Sequence, residues 1–142
     1  MSPLVQLIIG NKGRGKTRYL LERVNSEVKD TLGNICYLDK SAKHMFELNN
    51  RVRLINVSDF VIENTDQFIG FICGIISQDH DLEQMYFDSF LKIAHLEGQD
   101  ITDTIRRIQK IGDMFEVNFI ISIAMDEEDV PEDLKELIAV AL

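Results

Sequence analysis

The sequence predicts an α/β domain built on a mainly parallel sheet of about five strands, with helices on both faces. Three observations predict it. Short β-branched or aromatic runs of strand length alternate with longer segments whose apolar residues recur at helical spacing. No repeat, low-complexity tract or Pro/Gly/Ser-rich linker divides the 142 residues, so a single domain over 1–142 is expected. The composition, 45% hydrophobic and 27% charged, suits a chain that buries a core without disulfide or metal staples. It excludes disordered, collagenous and disulfide-scaffold classes.

Each element follows from its residues. The run Leu4-Val5-Gln6-Leu7-Ile8-Ile9 ends at Gly10 and predicts a buried first strand. After a glycine-rich turn, Tyr19, Leu20, Leu21, Val24 and Val28 keep near-helical spacing over 16–30. Gly33-Asn34 break that pattern, and Ile35-Cys36-Tyr37-Leu38 form a second strand ending at Asp39. Ser41 is a capping residue, which predicts a short helix over 41–48. Residues 52–57 alternate as a third strand. A loop then leads into a strongly apolar helix over 64–77, with Phe68, Ile69, Phe71, Ile72, Ile75 and Ile76 on more than one side. Such a helix is either sandwiched within the domain or open to self-association.

Residues 83–87 predict a fourth strand ending at Asp88. Over 100–115 lies the clearest amphipathic helix, with Ile101, Ile105, Ile108 and Phe115 on one face and Arg106, Arg107 and Lys110 turned outward. Residues 117–125 predict a fifth strand. Pro131, at a first-turn position, predicts a terminal helix over 131–142. Phe68, Phe71, Phe87, Phe90, Phe115 and Phe119 fall at core periodicities.

The net charge of −9 is unevenly spread: residues 1–57 carry ten Lys/Arg and five Asp/Glu, and the acids dominate thereafter. An acidic chain is a poor general binder of nucleic acid, whose affinity comes from cations on phosphates. The local basic excess suits a small anionic ligand. The acids between Asp126 and Glu136 predict a solvated segment, with contact to a basic partner as the functional alternative. Cys36 and Cys73 lack metal-ligand or disulfide-framework spacing and are expected to be reduced and buried. His44, His80 and His95 lack metal spacing as well. No run reaches the roughly 20 apolar residues of a membrane span, and the first apolar run is too short for a signal sequence. The expected location is the cytoplasm.

The chemistry concentrates in Gly10-Asn11-Lys12-Gly13-Arg14-Gly15-Lys16-Thr17, which matches G-x-x-x-x-G-K-[ST] at every specified position. Glycines let the backbone curl into a nest of inward N–H groups, and the helix that follows adds its positive end. Lys16 would reach the β- and γ-phosphates, and the Thr17 hydroxyl would ligate Mg²⁺. On these residues the chain resembles a P-loop NTPase, over nearly its whole length. It is also similar to short bacterial P-loop proteins labelled twitching-motility ATPases. The acidic and histidine boxes of pilus-retraction ATPases are not found here, so the resemblance carries over the nucleotide site and nothing about pili.

The resemblance implies a second metal-side acid at the tip of a neighbouring strand, which would hold Mg²⁺. Asp39, Asp88 and Asp126 each follow a strand, and Asp88 fits best, with Asp39 second. In the branch that adds a catalytic Glu after this Asp, the position is Ser89 here. A water-activating carboxylate would have to come from elsewhere, with Asp59 and Glu63 as candidates. Cations that could stabilise a transferring phosphoryl group are Arg14, Arg51, Arg53, Arg106 and Arg107.

The expected function is ATP binding with weak Mg²⁺-dependent ATPase activity, Lys16 and Asp88 being the catalytic pair. No guanine-reading N/T-K-x-D motif is present, which favours ATP. The alternatives are a small-molecule or nucleotide kinase, whose only room for a lid is 97–107, and a non-catalytic nucleotide-dependent module that binds a protein partner.

Overall fold

The computed structural model describes residues 4–142, so positions 1–3 of the expected domain lie outside the described residues. Six strands form one sheet: β1 (Val5–Ile9), β2 (Asn34–Asp39), β3 (Val52–Asn56), β4 (Leu82–Phe87), β5 (Asn118–Ile123) and β6 (Ile138–Ala141). Their order is β3-β2-β4-β5-β1-β6, and every neighbouring pair is parallel. The connections carry α1 (Lys16–Glu27), α2 (Thr65–Ser77), α3 (Phe90–Ile93) and α4 (Thr102–Phe115).

Parallel neighbours need crossovers, and a right-handed crossover lies on the face set by the direction the chain moves across the sheet. From β1 the chain travels one way to β2 and β3, then returns through β4 and β5 to β6. The layers divide accordingly. On one face α1 packs Leu20 and Val24 on Ile8, Ile35, Tyr37, Tyr86 and Ile120. On the other, α2, α3, α4 and the 3-10 helix Glu132–Leu137 cover Leu7, Leu38, Met85, Phe87, Phe119 and Ile121. Met85 and Phe87 of β4 thus serve one layer and Tyr86 the other, so the end of the strand is buried on both faces.

Phe87 anchors the larger layer, its ring centroid 5.4 Å from Phe68, 6.0 Å from Phe90 and 5.5 Å from Phe119. In the smaller layer Tyr37 stacks on Tyr86. Helix α2 starts at Asn64, whose side chain accepts the Gln67 N–H, while the Gln67 side chain accepts the N–H of Glu63. Phe68, Ile69, Ile72 and Ile76 of α2 are buried, but Gly70 and Gly74 face solvent, so the helix is covered rather than sandwiched.

Several expectations need correction. The sheet has six strands because 131–142 is not a terminal helix. Its i, i+3 pair Leu134 and Leu137 lies in a 3-10 helix, after which Ile138–Ala141 pairs with β1. That pairing covers an edge that an apolar strand would otherwise leave open. Residues 41–48 hold only a 3-10 turn at Met45–Glu47, although the Ser41 hydroxyl accepts the Lys43 N–H. Phe115 is half-exposed and outside the core. Ile111 takes the buried position; α4 ends at Glu116 (φ 55°), and the chain then passes so close to Gly112 that a Cβ there would lie 2.9 Å from the Val117 carbonyl. Phe71 is partly buried, as is Cys73, whereas Cys36 is fully buried and burial pushes its thiol up to about 11. Among the described residues no helix is long and apolar enough to cross a membrane.

Two substitutions check this packing. Phe119→Ala is expected to cost about 3–5 kcal/mol in urea unfolding, and Phe115→Ala no more than about 0.5 kcal/mol. Equal losses at both positions would contradict the placement of α4 on the sheet.

Candidate functional site

The chain leaves β1 toward one face and its neighbour β5 toward the other, and β2 and β4 diverge in the same way. At such reversals the connections separate and open a crevice at the carboxyl ends of the strands. A cleft of about 770 Å³ lies there, lined by Lys16, Thr17, Lys40, Asp88, Lys92 and Ser122 among others.

One wall is the loop 10–17. Gly13 and Gly15 have φ of 88° and 91°, left-handed values that L side chains rarely adopt. Gly15 starts α1 with no side-chain cap, and α1 has no acid in its first turn, unlike α2 with Asp66 and α4 with Asp103. Among the described residues the N–H groups of Gly13, Gly15, Lys16 and Thr17 donate to no backbone carbonyl. No acid of α1 itself offsets the positive end of this helix. The Lys16 ammonium donates to the Asn11 carbonyl at 3.1 Å. Burial lowers its pKa, and the Asp88 carboxylate acts in the opposite direction. Of the loop residues, Lys12, Gly13, Gly15, Lys16 and Thr17 line the cleft. Gly10 is buried beside Leu142, Asn11 turns its side-chain amide to Asp126, and Arg14 is exposed; none of these three lines it.

Asp88 ends β4 and is 3% exposed. The Thr17 hydroxyl donates to its Oδ1 at 3.2 Å, and the Tyr37 hydroxyl donates to its Oδ2 at 2.9 Å. Burial first, then the Asp88 charge, hold the Tyr37 phenol far above its ordinary pKa, so it remains a donor. Ser89 follows with φ of 57° and begins α3, a left-handed conformation uncommon for a non-glycine residue. Thr17 and Asp88 offer adjacent hard oxygens. A small divalent cation that keeps several waters needs only one or two protein oxygens beside its ligand's own, and this pair fits it. Among the described residues no three His, Cys, Asp or Glu gather into a larger metal cluster.

Asp39 ends the neighbouring strand β2, is 2% exposed, and accepts the Lys40 N–H at 2.7 Å. Burial and then the Asp88 charge raise its pKa from 3.8 to about 6. It does not line the cleft.

The remaining candidates lie elsewhere. Asp126 holds Asn11 outside the cleft, and Asp59 accepts the Asn56 side-chain amide. Glu63 lines an adjoining polar groove with Asp66, and this groove shares Lys92 and Glu97 with the cleft. Arg51 donates to the carbonyls of Val28 and Thr31 and closes the end of α1. Arg53 pairs with Asp79 at 3.0 Å, Arg107 pairs with Asp66 at 2.8 Å, and Arg106 donates to Gln109 and the Asp133 carbonyl. None of these arginines lines the cleft. The segment 97–107 is a short turn followed by α4.

Sequence reasoning missed Lys40, Lys92, Glu97 and Ser122. Lys40 had a usable signal, its position directly after the β2 tip. Lys92 had none, since α3 is four residues long and too short for periodicity. No protein-family model matches the chain, and no curated protein matches it in sequence.

Asp39 carries a pH prediction for the metal-free protein. Its folded pKa lies above the ordinary value, so the stability associated with its proton is complete below pH 3.8 and is lost as pH rises through about 6. Asp39→Asn cannot ionise. It is expected to be more stable than the parent at pH 7 by about 2–3 kcal/mol, with the gain vanishing toward pH 4, as read from urea unfolding at both values.

Proposed function

We propose that the chain is a P-loop nucleoside triphosphatase that binds Mg²⁺-ATP in the strand-tip cleft and hydrolyses it slowly. The observation that carries the reading is the convergence of the uncapped α1 start, the Lys16 ammonium and the Thr17–Asp88 pair on one cleft. The free N–H groups of the loop receive phosphate oxygens, and Lys16 exchanges the Asn11 carbonyl for the β- and γ-phosphates. Thr17 and Asp88 would hold the cation, and the Tyr37 hydroxyl orients the Asp88 carboxylate. When bound, Mg²⁺ neutralises charge on the β- and γ-phosphate oxygens.

Slow turnover follows from what lies beside Asp88. Ser89 cannot take a proton from water as a carboxylate would. Besides Asp88, the only carboxylate on the cleft is Glu97, which is exposed and has no hydrogen-bond partner among the described residues. Mg²⁺-ATP hydrolysis thus lacks a held base, and a positioned base contributes roughly 10²–10⁴ in rate.

Two variants test the reading. Lys16→Ala is expected to bind ATP about 10–100-fold more weakly, the worth of a charge-assisted hydrogen bond, while unfolding at an unchanged urea midpoint. Unchanged affinity in the folded variant would refute the assignment. In single-turnover assays with γ-labelled ATP and protein in excess, Asp88→Asn is expected to lower phosphate release by about 10²-fold.

A further inference from the structure

Next to the cleft lies a second hollow of about 300 Å³, whose walls are Val57, Phe60, Ile62 and Ile93. Lys40 and Lys92 line both hollows, so the two meet at this pair of ammonium groups. Neither lysine has an ion-pair or hydrogen-bond partner for its side chain among the described residues. No carboxylate lines the second hollow, although the chain carries 24 acids against 15 Lys and Arg. Its remaining lining residues are Ser58 and His95.

The walls are held in place. The His95 Nε2–H donates to the Ile62 carbonyl at 2.8 Å, tying the end of α3 to the loop 57–62. The Thr65 hydroxyl donates to the Ala94 carbonyl at 2.7 Å on the same side. His95 itself has φ of 56° and ends α3, with the Leu96 N–H returning to the Leu91 carbonyl at 2.8 Å. Phe60 leans on Phe71, with ring centroids 5.1 Å apart, and remains half-exposed toward the hollow.

We propose that this hollow is an acceptor subsite for a small organic anion, an anionic oxygen on an apolar ring or branched body, and that the γ-phosphoryl group passes to that oxygen. The proposal rests on the nucleotide reading above. An apolar pocket of this size with cations only at its mouth recognises such a ligand by burying its body and pairing its charge. The chemistry agrees with the missing base. The acceptor oxygen is already an anion, so no proton need be removed as it attacks the γ-phosphorus. The new oxygen–phosphorus bond forms, the bond from the γ-phosphorus to the bridging oxygen breaks, and its electron pair leaves with ADP. Lys40 and Lys92, standing between the two hollows, neutralise the repulsion of two anions brought together.

The test uses the whole chain with Mg²⁺ and γ-labelled ATP, and two probes: phenyl phosphate for the phosphate monoesters and phenylacetate for the carboxylates. One probe is expected to raise ADP release about tenfold or more over the rate in water and to carry the label as product. Which probe does so distinguishes the two sources of the anion. Phe60→Ala, which removes a wall of the second hollow and does not touch the ATP cleft, is expected to raise the half-saturating acceptor concentration about tenfold with ATP affinity unchanged. Ser58→Trp, which fills the hollow, is expected to abolish the stimulation. If ATP binds but neither probe stimulates, or if stimulation ignores both variants, the acceptor proposal is overturned and the nucleotide reading stands. If the parent chain binds ATP no better than Lys16→Ala does, both fall.

Discussion

A buried carboxylate at the tip of a strand costs several kcal/mol unless both of its oxygens find donors. Asp88 is such a group, and its partners come from two other elements: Thr17 at the start of α1 and Tyr37 in the middle of β2. The arrangement of strands around it follows from that requirement. Strand β5 lies between β1 and β4, so the α1 start must reach across the β5 tip to meet Asp88. The residues that face the cleft there, Ser122 of β5 and Ala124 just beyond it, are small enough to let it pass.

The same sheet order explains why the cleft exists. Three connections return in one direction and stack on one face, while α1 and the β2–β3 connection, through Leu48, cover the other with its stacked tyrosines. The chain separates at the tips of β1 and β5 and again at β2 and β4, with Asp88 and Ser122 between the two partings. A sheet crossed in only one direction would have had all its connections on one face and no crevice at this edge.

Charge is arranged against the composition. In an acidic chain, Lys12, Lys16, Lys40 and Lys92 face one cleft, whereas the acids from Asp126 to Glu128 lie exposed beyond the β5 tip. Helix α3 makes this possible at some cost. Left-handed residues at both of its flanks, Ser89 and His95, each strain the backbone by roughly 1–2 kcal/mol. Between them a four-residue helix is set at the angle that gives Lys92 to both hollows. His95 is the left-handed residue that ends α3, with the Leu96 N–H returning to the Leu91 carbonyl at 2.8 Å.

The α/β class, the strand positions and the turn chemistry of the glycine loop were legible in the sequence, because they depend on local quantities: run length, apolar period and the need for positive φ. Strand Asn34–Asp39 and helix Thr65–Ser77 lie close to where periodicity put them. Asp88 was legible as a strand-tip acid, but its pairing with Tyr37 was not, since hydroxyl and carboxylate meet only when β2 and β4 become neighbours. The last strand was misread for the same kind of reason. Ile138–Ala141 is too short to declare itself, and it becomes a strand because β1 offers it an open edge. Residues 16, 17 and 88 could be named from sequence by their place on elements. That Lys40 and Lys92 stand between two hollows was decided by tertiary structure alone, because two residues 52 positions apart share a surface only after the sheet has been ordered.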